Sequence, residues 1–433
     1  MAYVSAVPEG GSGPGGLTRP TAYGWIVFAL SFGLLISDYM ARQVLNAVFP
    51  LLKAEWALSD GELGWLSGIV ALMVGLLTFP LSLLADRWGR VKSLTLMAVL
   101  WSLATLLCGM AQNYEQMLAG RLLVGVGEAA YGSVGIAVVI SVFPARMRAT
   151  LTGAFMAGGI FGQILGVGIG GQIAASYGWR TAFVAIALAG LVLALLYPVF
   201  VRERKNAELA GTEPQSEGQG TPPIKVPLKA VVGFASLRFG YIASGLQLCV
   251  AGAIPAWLPS YFNRYYGLQL DEAAGLAALF LLIAGAGIIL CGMLSDRLAR
   301  DRPIATVNLA IAFCLTCAVL LGGAFALPPG LPQLILLGGA SFVALGTAGP
   351  AGAMVANLTP LAIHGTAFAT LTLANNLLGL APGPIMVGRL ADTYGLLGAL
   401  QFLPVACLLS ALAFLMARRT YAADIAKSEA RES

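Results

Sequence analysis

Apolar residues run along this chain in stretches of about twenty or more, separated by short clusters of arginine, lysine and aspartate. A helix crosses the hydrocarbon core of a bilayer in about 20 such residues, so each stretch predicts a membrane span. Twelve are predicted, over residues 23–50, 62–84, 92–111, 116–143, 149–176, 180–201, 238–262, 272–295, 304–326, 332–356, 364–391 and 397–417. Two segments have another character. Residues 1–20 are polar and rich in Gly, Pro and Ser, which predicts a disordered tail without a cleavable signal peptide. Residues 202–227 turn abruptly to Glu, Lys, Gln, Ser, Gly and Pro, the composition of a linker. The expected plan is therefore a tail (1–20), a six-helix half (21–201), a linker (202–227), a second six-helix half (228–418) and a tail (419–433).

Short patterns recur across that linker. Asp86-Arg87-Trp-Gly-Arg90 follows span 2 and Asp296-Arg297-Leu-Ala-Arg300 follows span 8, at an offset of 210 residues. The glycines Gly162, Gly166 and Gly171 of span 5, followed by Tyr177-Gly178, match Gly379, Gly383 and Gly388 of span 11, followed by Tyr394-Gly395, at 217. Two matches at nearly one offset predict an all-α membrane protein of two six-helix halves in parallel pseudo-twofold repeat.

Composition agrees and excludes other classes. Of 433 residues 58% are hydrophobic and 10% charged, against about 25% charged in soluble proteins. The net charge of +5 lies mostly in loops on one side of the alternating spans, among them Arg87, Arg90, Lys92, Arg146, Arg148, Arg297 and Arg300. The positive-inside rule then places both termini in the cytoplasm of a multi-pass protein of the cell membrane, with a bacterial inner membrane expected. The basic excess is thus an orientation signal and no nucleic-acid partner is implied. All six cysteines fall inside predicted spans, and Cys314-xx-Cys317 lacks nearby His or acidic ligands, so no disulfide framework or metal is expected. No Gly-xxxx-Gly-Lys-Ser/Thr loop occurs, which argues against an ATP-driven pump. The chain reads as a carrier rather than an enzyme.

Ionisable residues inside the spans mark the candidate site, because each costs about 2.5–3.5 kcal/mol at the bilayer centre. Span 4 carries Arg121 and Glu128, two turns apart on one face, and span 1 carries Asp38 and Arg42 one turn apart. A carboxylate whose arginine moves away or is given to a substrate anion changes its proton affinity. Glu128 and Asp38 are the candidate proton carriers, with the proton as coupling ion and no other cofactor. Arg42 and Arg121 are the candidates to pair with a substrate anion. The Asp86, Arg87, Arg90 and Asp296, Arg297, Arg300 clusters are candidates for a cytoplasmic gate that pairs in one state and releases in the other. Polar residues for the remaining cavity wall are few: Gln163, Gln247, Asn375 and Asn376. A cavity charged on the N-terminal half and apolar on the C-terminal half suits an amphipathic molecule.

The Asp-Arg-x-Gly-Arg loop and its copy, the Arg121-xxx-Gly-x-Gly of span 4 and the span 5 glycines resemble the major facilitator superfamily over essentially the whole chain. Tyr39-Met-Ala41-Arg42 and Arg121-xxx-Gly-Val-Gly-Glu128 resemble its Spinster-like lipid transporters. In that pattern an aspartate stands where this chain has Ala41; either Asp38 takes its place or the position has been altered. The resemblance implies a secondary active transporter working by alternating access, moving a lysophospholipid-class amphipath with proton coupling, as a monomer in the bilayer. A proton-coupled carrier of small organic anions or drugs is the alternative, and a non-transporting membrane sensor a further one.

Overall fold

The structure, a computed structural model, describes residues 21–203, 206, 232–299, 303–360 and 363–432. The expected tail 1–20 and all of the linker 202–227 but Arg202, Glu203 and Asn206 lie outside the described residues. Among the described residues there is no strand. Spans 1 to 3 are Ala22–Ala47, Asp60–Trp88 and Arg90–Met110, with a short helix Phe49–Trp56 between the first two. Span 4 is split into Tyr114–Glu128 and Tyr131–Ser141, and spans 5 and 6 are Arg148–Tyr177 and Trp179–Phe200. Spans 7 to 9 are Ala235–Tyr266, Leu270–Ala299 and Pro303–Ala326. Span 10 is split into Leu331–Ala344 and Ala348–Leu358. Span 11 runs through His364–Asn375, a π-helical turn Asn376–Leu380, and the helical stretch Pro382–Leu400, in which Gly395 (φ 73°, ψ 163°) breaks the helix and ends the span; span 12 follows through Leu403–Glu432.

Eleven of these are long and apolar enough to cross a membrane as continuous stretches. Span 11 is the twelfth, interrupted where Pro382 and Pro384 deny the ladder two N–H donors and the π turn absorbs the mismatch. Span 12 continues through residues 419–432, where a tail was expected. Tyr421 and Asp424 are buried there, and the Asp424 carboxylate accepts from the N–H and hydroxyl of Ser236 at 3.1 and 2.7 Å, capping the start of span 7.

The apolar core divides in a way that sets the shape. Toward the face bearing the chain termini there are two separate cores. One, around Val27, Trp101, Phe143, Phe155 and Tyr197, belongs to the first six spans. The other, around Leu237, Cys314, Met354, Phe414 and Tyr421, belongs to the last six. Toward the opposite face a single core joins both halves, with Phe49, Leu66 and Val124 packed in the same cluster as Trp257, Phe280 and Leu400. The halves are therefore joined at the opposite face and part toward the terminal face.

Glycine makes that junction close. A Cβ on Gly64 or Gly68 of span 2 would lie 2.5 Å from the carbonyl oxygens of Pro384 and Ala381 on span 11, so those backbones touch only because no side chain intervenes. Polar contacts complete the seal. Asp60 receives two hydrogen bonds from Arg264 of span 7, at 2.8 and 2.7 Å, and one from Lys53 at 2.6 Å. Asp392 of span 11 accepts from the N–H groups of Asp60 and Gly61 at 2.8 and 3.0 Å, capping span 2 from the other half.

Candidate functional site

Span 4 breaks at Ala129–Ala130, immediately after Glu128, and the Thr78 hydroxyl donates to the Ala129 carbonyl at 2.7 Å. Irregular backbone at membrane depth persists where protein or a cavity satisfies it, and broken helices commonly border transport sites. The break places Glu128 opposite span 1. There Arg42 donates from Nε and Nη2 to Glu128 Oε2 at 3.0 and 2.8 Å. The Asp38 carboxyl lies against that of Glu128. Asp38 Oδ1 and Glu128 Oε1 are buried and have no hydrogen-bond partner among the described residues. The three predicted residues Asp38, Arg42 and Glu128 thus meet in one cluster.

Arg42 is the member of that cluster that reaches open space. Its side chain is 18% exposed against 0% for Glu128, and it lines a cavity of about 430 Å³ between the halves. Its guanidinium sits 5.2 Å from the centre of the Tyr39 ring, which lines the same cavity. Behind it, Ser67 Oγ donates to Asn46 Oδ1 (3.0 Å), Asn46 Nδ2 to Gln43 Oε1 (2.6 Å) and Gln43 Nε2 to Gln163 Oε1 (3.5 Å). All four line the cavity, so the wall from the N-terminal half is one positive charge in a row of amides and a hydroxyl. The facing wall is apolar: Leu248, Ala251, Pro255, Ile288, Leu345 and Leu380. Spans 5 and 8 contribute Gly153, Met156 and Ile289 on the terminal side, where the two halves diverge.

Other predicted residues lie elsewhere. Arg121 is fully buried and spends its donors on backbone: Nε to the Leu66 carbonyl at 3.2 Å, Nη1 to Ala41 at 2.9 Å and Nη2 to Arg42 at 3.0 Å. It braces spans 1, 2 and 4 and does not line the cavity, which removes it as a substrate partner in this state. Gln247 donates to the Ala344 carbonyl at 3.1 Å, Asn375 accepts from Ser244 at 2.7 Å and Asn376 donates to Thr372 at 2.9 Å. All three are absorbed in packing within the C-terminal half and are absent from the cavity lining; Gln163 alone of the four expected polar residues lines it. Ala41 is buried in the shared apolar core, and the acid that span 1 brings to Glu128 is Asp38.

At the gate clusters, the Asp86 side chain and Arg300 lie outside the described residues. Arg87, Arg90, Asp296 and Arg297 are exposed at the terminal face. What holds the start of span 3 there is Glu203, whose carboxylate accepts from the N–H groups of Arg90 and Val91 at 3.0 and 2.8 Å. Sequence reasoning missed Tyr39, Gln43, Asn46 and Ser67, although Asp38, Arg42 and Asn46 recur every four residues along span 1. It also missed the Asp60–Arg264–Asp392 seal, because Asp60 reads as part of an ordinary capping box with Ser59 and Glu62, which it also adjoins.

Two six-span halves around a central cavity, sealed at one face by contacts between them, define a membrane carrier. The model of the major facilitator superfamily matches residues 30–380, and the chain belongs to that superfamily of secondary transporters. It is 27% identical over 297 residues to the "Probable L-galactonate transporter" of Escherichia coli (strain K12), covering 67% of this chain and 66% of that protein, just under two thirds of its length. It is 25% identical over 319 residues to the "Hexuronate transporter" of Bacillus subtilis (strain 168), covering 72% and 75%. A solved bacterial homolog of the human lysosomal transporter Spinster, in an inward-facing and occupied conformation, superimposes with a TM-score of 0.82 over 93% of this chain and 98% of that one. Identity there is 18%, so that likeness concerns the fold.

Proposed function

We propose that this carrier moves a small organic anion by proton-coupled alternating access, with the anion's acid group on Arg42 and its less polar part against the C-terminal half. The observation that carries this is the cavity-facing guanidinium of Arg42, held from behind by Glu128. A bound anion competes with Glu128 for that guanidinium. Two carboxyl groups in contact, as Asp38 and Glu128 are, form a hydrogen bond only when one carries a proton, and drawing Arg42 toward substrate takes a positive charge away from beside them. Substrate binding and proton binding then favour one another. The names of the relatives, transporters of small organic acids, support the same substrate class. The basic loops support a cytoplasmic terminal face, which makes the present state inward-open.

The apolar wall favours a second reading, a lysophospholipid-like amphipath with its phosphate on Arg42, and the fold likeness to the Spinster homolog agrees with it. Uptake into proteoliposomes separates the two. A panel of sugar acids, aromatic acids and single-chain phospholipids is assayed with and without an imposed proton gradient. The proposal expects gradient-driven uptake of an acid, lost in Arg42→Gln and made independent of the gradient in Glu128→Gln. Uptake of phospholipid alone supports the second reading, and gradient-driven uptake undiminished in Glu128→Gln overturns the coupling assignment.

A further inference from the structure

Buried polar groups that do not touch the cavity gather in the N-terminal half, on the terminal side of the acid pair. Tyr131, three residues past Glu128 and just beyond the break in span 4, is fully buried. Its hydroxyl donates to the Ser31 carbonyl at 2.7 Å, and it lies within electrostatic range of Asp38 on one side and Tyr197 on the other. Ser31 stands seven positions before Asp38, two turns away on the same face of span 1. Its hydroxyl shares a hydrogen bond with the Tyr197 hydroxyl at 3.1 Å, and both residues are fully buried. Tyr197 in turn lies within electrostatic range of Tyr23 and Glu203. Tyr23 is half-buried at the terminal face, where its hydroxyl donates to Asn206 Oδ1 at 2.7 Å and accepts from the Arg202 N–H at 3.0 Å.

The same interior holds polar atoms with no partner among the described residues: Asp38 Oδ1, Ser102 Oγ and Trp101 Nε1, whose ring meets Tyr131 edge-on at 5.0 Å. The hydroxyls of Ser37 and Ser102 converge beside Gly190, where an added Cβ would lie 2.8 Å from Ser102 Oγ and still closer to Ser37 Oγ. Proteins satisfy nearly all buried polar atoms, and water fills the role where protein does not, given two or more polar neighbours. Asp38 itself is faced by Arg42 and Tyr39 from its own span and by Glu128 and Tyr131 from span 4. Ser31, Tyr131 and Tyr197 are all absent from the cavity lining.

We propose that Tyr131, Ser31, Tyr197 and Tyr23, bridged by water at the orphan atoms, carry protons between the Asp38–Glu128 pair and the terminal face, through the interior of the N-terminal half and apart from the substrate route. The inference rests on the proton coupling proposed above. The Ser31 carbonyl that receives the Tyr131 hydrogen bond cannot hand a proton on, so bridging water joins the Tyr131 and Ser31 hydroxyls, and Ser31 meets Tyr197 directly. Each hydroxyl and water accepts a proton on its oxygen as it releases its own, and the proton delivered ends on a carboxylate oxygen. The separation has a mechanical consequence: the proton is free to arrive or leave while substrate occupies the cavity.

The test needs no knowledge of the substrate. Purified protein in proteoliposomes is subjected to a pH jump on the terminal side, and the infrared carbonyl band of protonated carboxyl groups is followed in time. Its assignment comes from its loss in Asp38→Asn and Glu128→Gln. In Tyr131→Phe and Tyr197→Phe, which keep the ring and remove only the hydroxyl, the band is expected to reach its wild-type amplitude about a hundredfold more slowly, the low end of the ~10²–10⁴ that positioned proton-transfer groups contribute. Retained amplitude also demonstrates that the variants fold. Wild-type rates in both variants overturn the path and leave the coupling intact. A wild-type protein with no assignable band overturns the coupling, and the path with it.

Discussion

Two arginines close together in the sequence reading have opposite fates in the fold, and their difference is open to measurement. Arg121 gives three donors to three backbone carbonyls and has no route to the cavity, whereas Arg42 divides its guanidinium between Glu128 and open space. A lysine at position 121 has no planar fork to serve carbonyls on two helices. Arg121→Lys is therefore expected to destabilise the protein by ~2 kcal/mol or more, taking about 1–3 kcal/mol for each buried group left unpaired. Arg42→Lys is expected to keep stability close to wild type and lose substrate binding. Thermal unfolding in detergent and ligand-induced stabilisation on the two variants check both halves of the statement; equal destabilisation would refute the division of roles. Spacing along span 4 puts Arg121 on the face of Glu128, and that was legible. What Arg121 bonds to was hidden, because its acceptors are carbonyls, which every residue has and no sequence distinguishes. Ala41 is similar: its side chain is ordinary core, and its carbonyl is what Arg121 needs.

Among whole helices, the patterning located the spans to within a few residues at most ends, since a run of apolar residues in lipid has no alternative to a helix that satisfies its own backbone. The breaks in spans 4, 10 and 11 were less visible. Pro382 and Pro384 announce the one in span 11, but no proline marks Ala129–Ala130, where Thr78 of another helix takes up the freed carbonyl. The contact between spans 2 and 11 likewise needs both partners to be seen. Gly64 and Gly68 look like ordinary small residues until the carbonyls of Pro384 and Ala381 are found against them. A side chain at position 64 meets backbone, which cannot rotate away, so Gly64→Val is expected to hold the opposite face apart. Reaction of a thiol reagent added from that face with Ser67→Cys is expected to rise at least about tenfold in the Gly64→Val background, a population shift worth about 1.4 kcal/mol. Gly132→Ala, where an added Cβ meets nothing within 4 Å, serves as the control and should leave the reaction rate unchanged.

For the whole molecule, the repeat of short motifs implied two halves and an alternation between two faces, but which face is closed is a property of packing and not of patterning. The answer lies in the distribution of the core, single toward the opposite face and double toward the terminal one, together with the seal in which Asp60, Arg264 and Asp392 cross between the halves. Alternating access requires that this seal open once per cycle while the divided cores close. Asp60→Asn removes the charge that Arg264 and Lys53 both address, leaves the cap from Asp392 in place, and is expected to enlarge the open population without abolishing transport. A covalent lock is the stricter test. The Gly61 N–H lies 3.0 Å from Asp392 Oδ2, which puts Gly61→Cys and Asp392→Cys within reach of a short bis-methanethiosulfonate crosslinker. The locked protein is expected to bind substrate from the terminal side with near wild-type affinity, because the cavity lies below the seal, and to transport none; reducing the crosslink restores flux. Transport that continues through the locked protein would mean that these halves do not part at this face, and the reading of the molecule as an alternating-access carrier with its present cavity as the substrate site would fall.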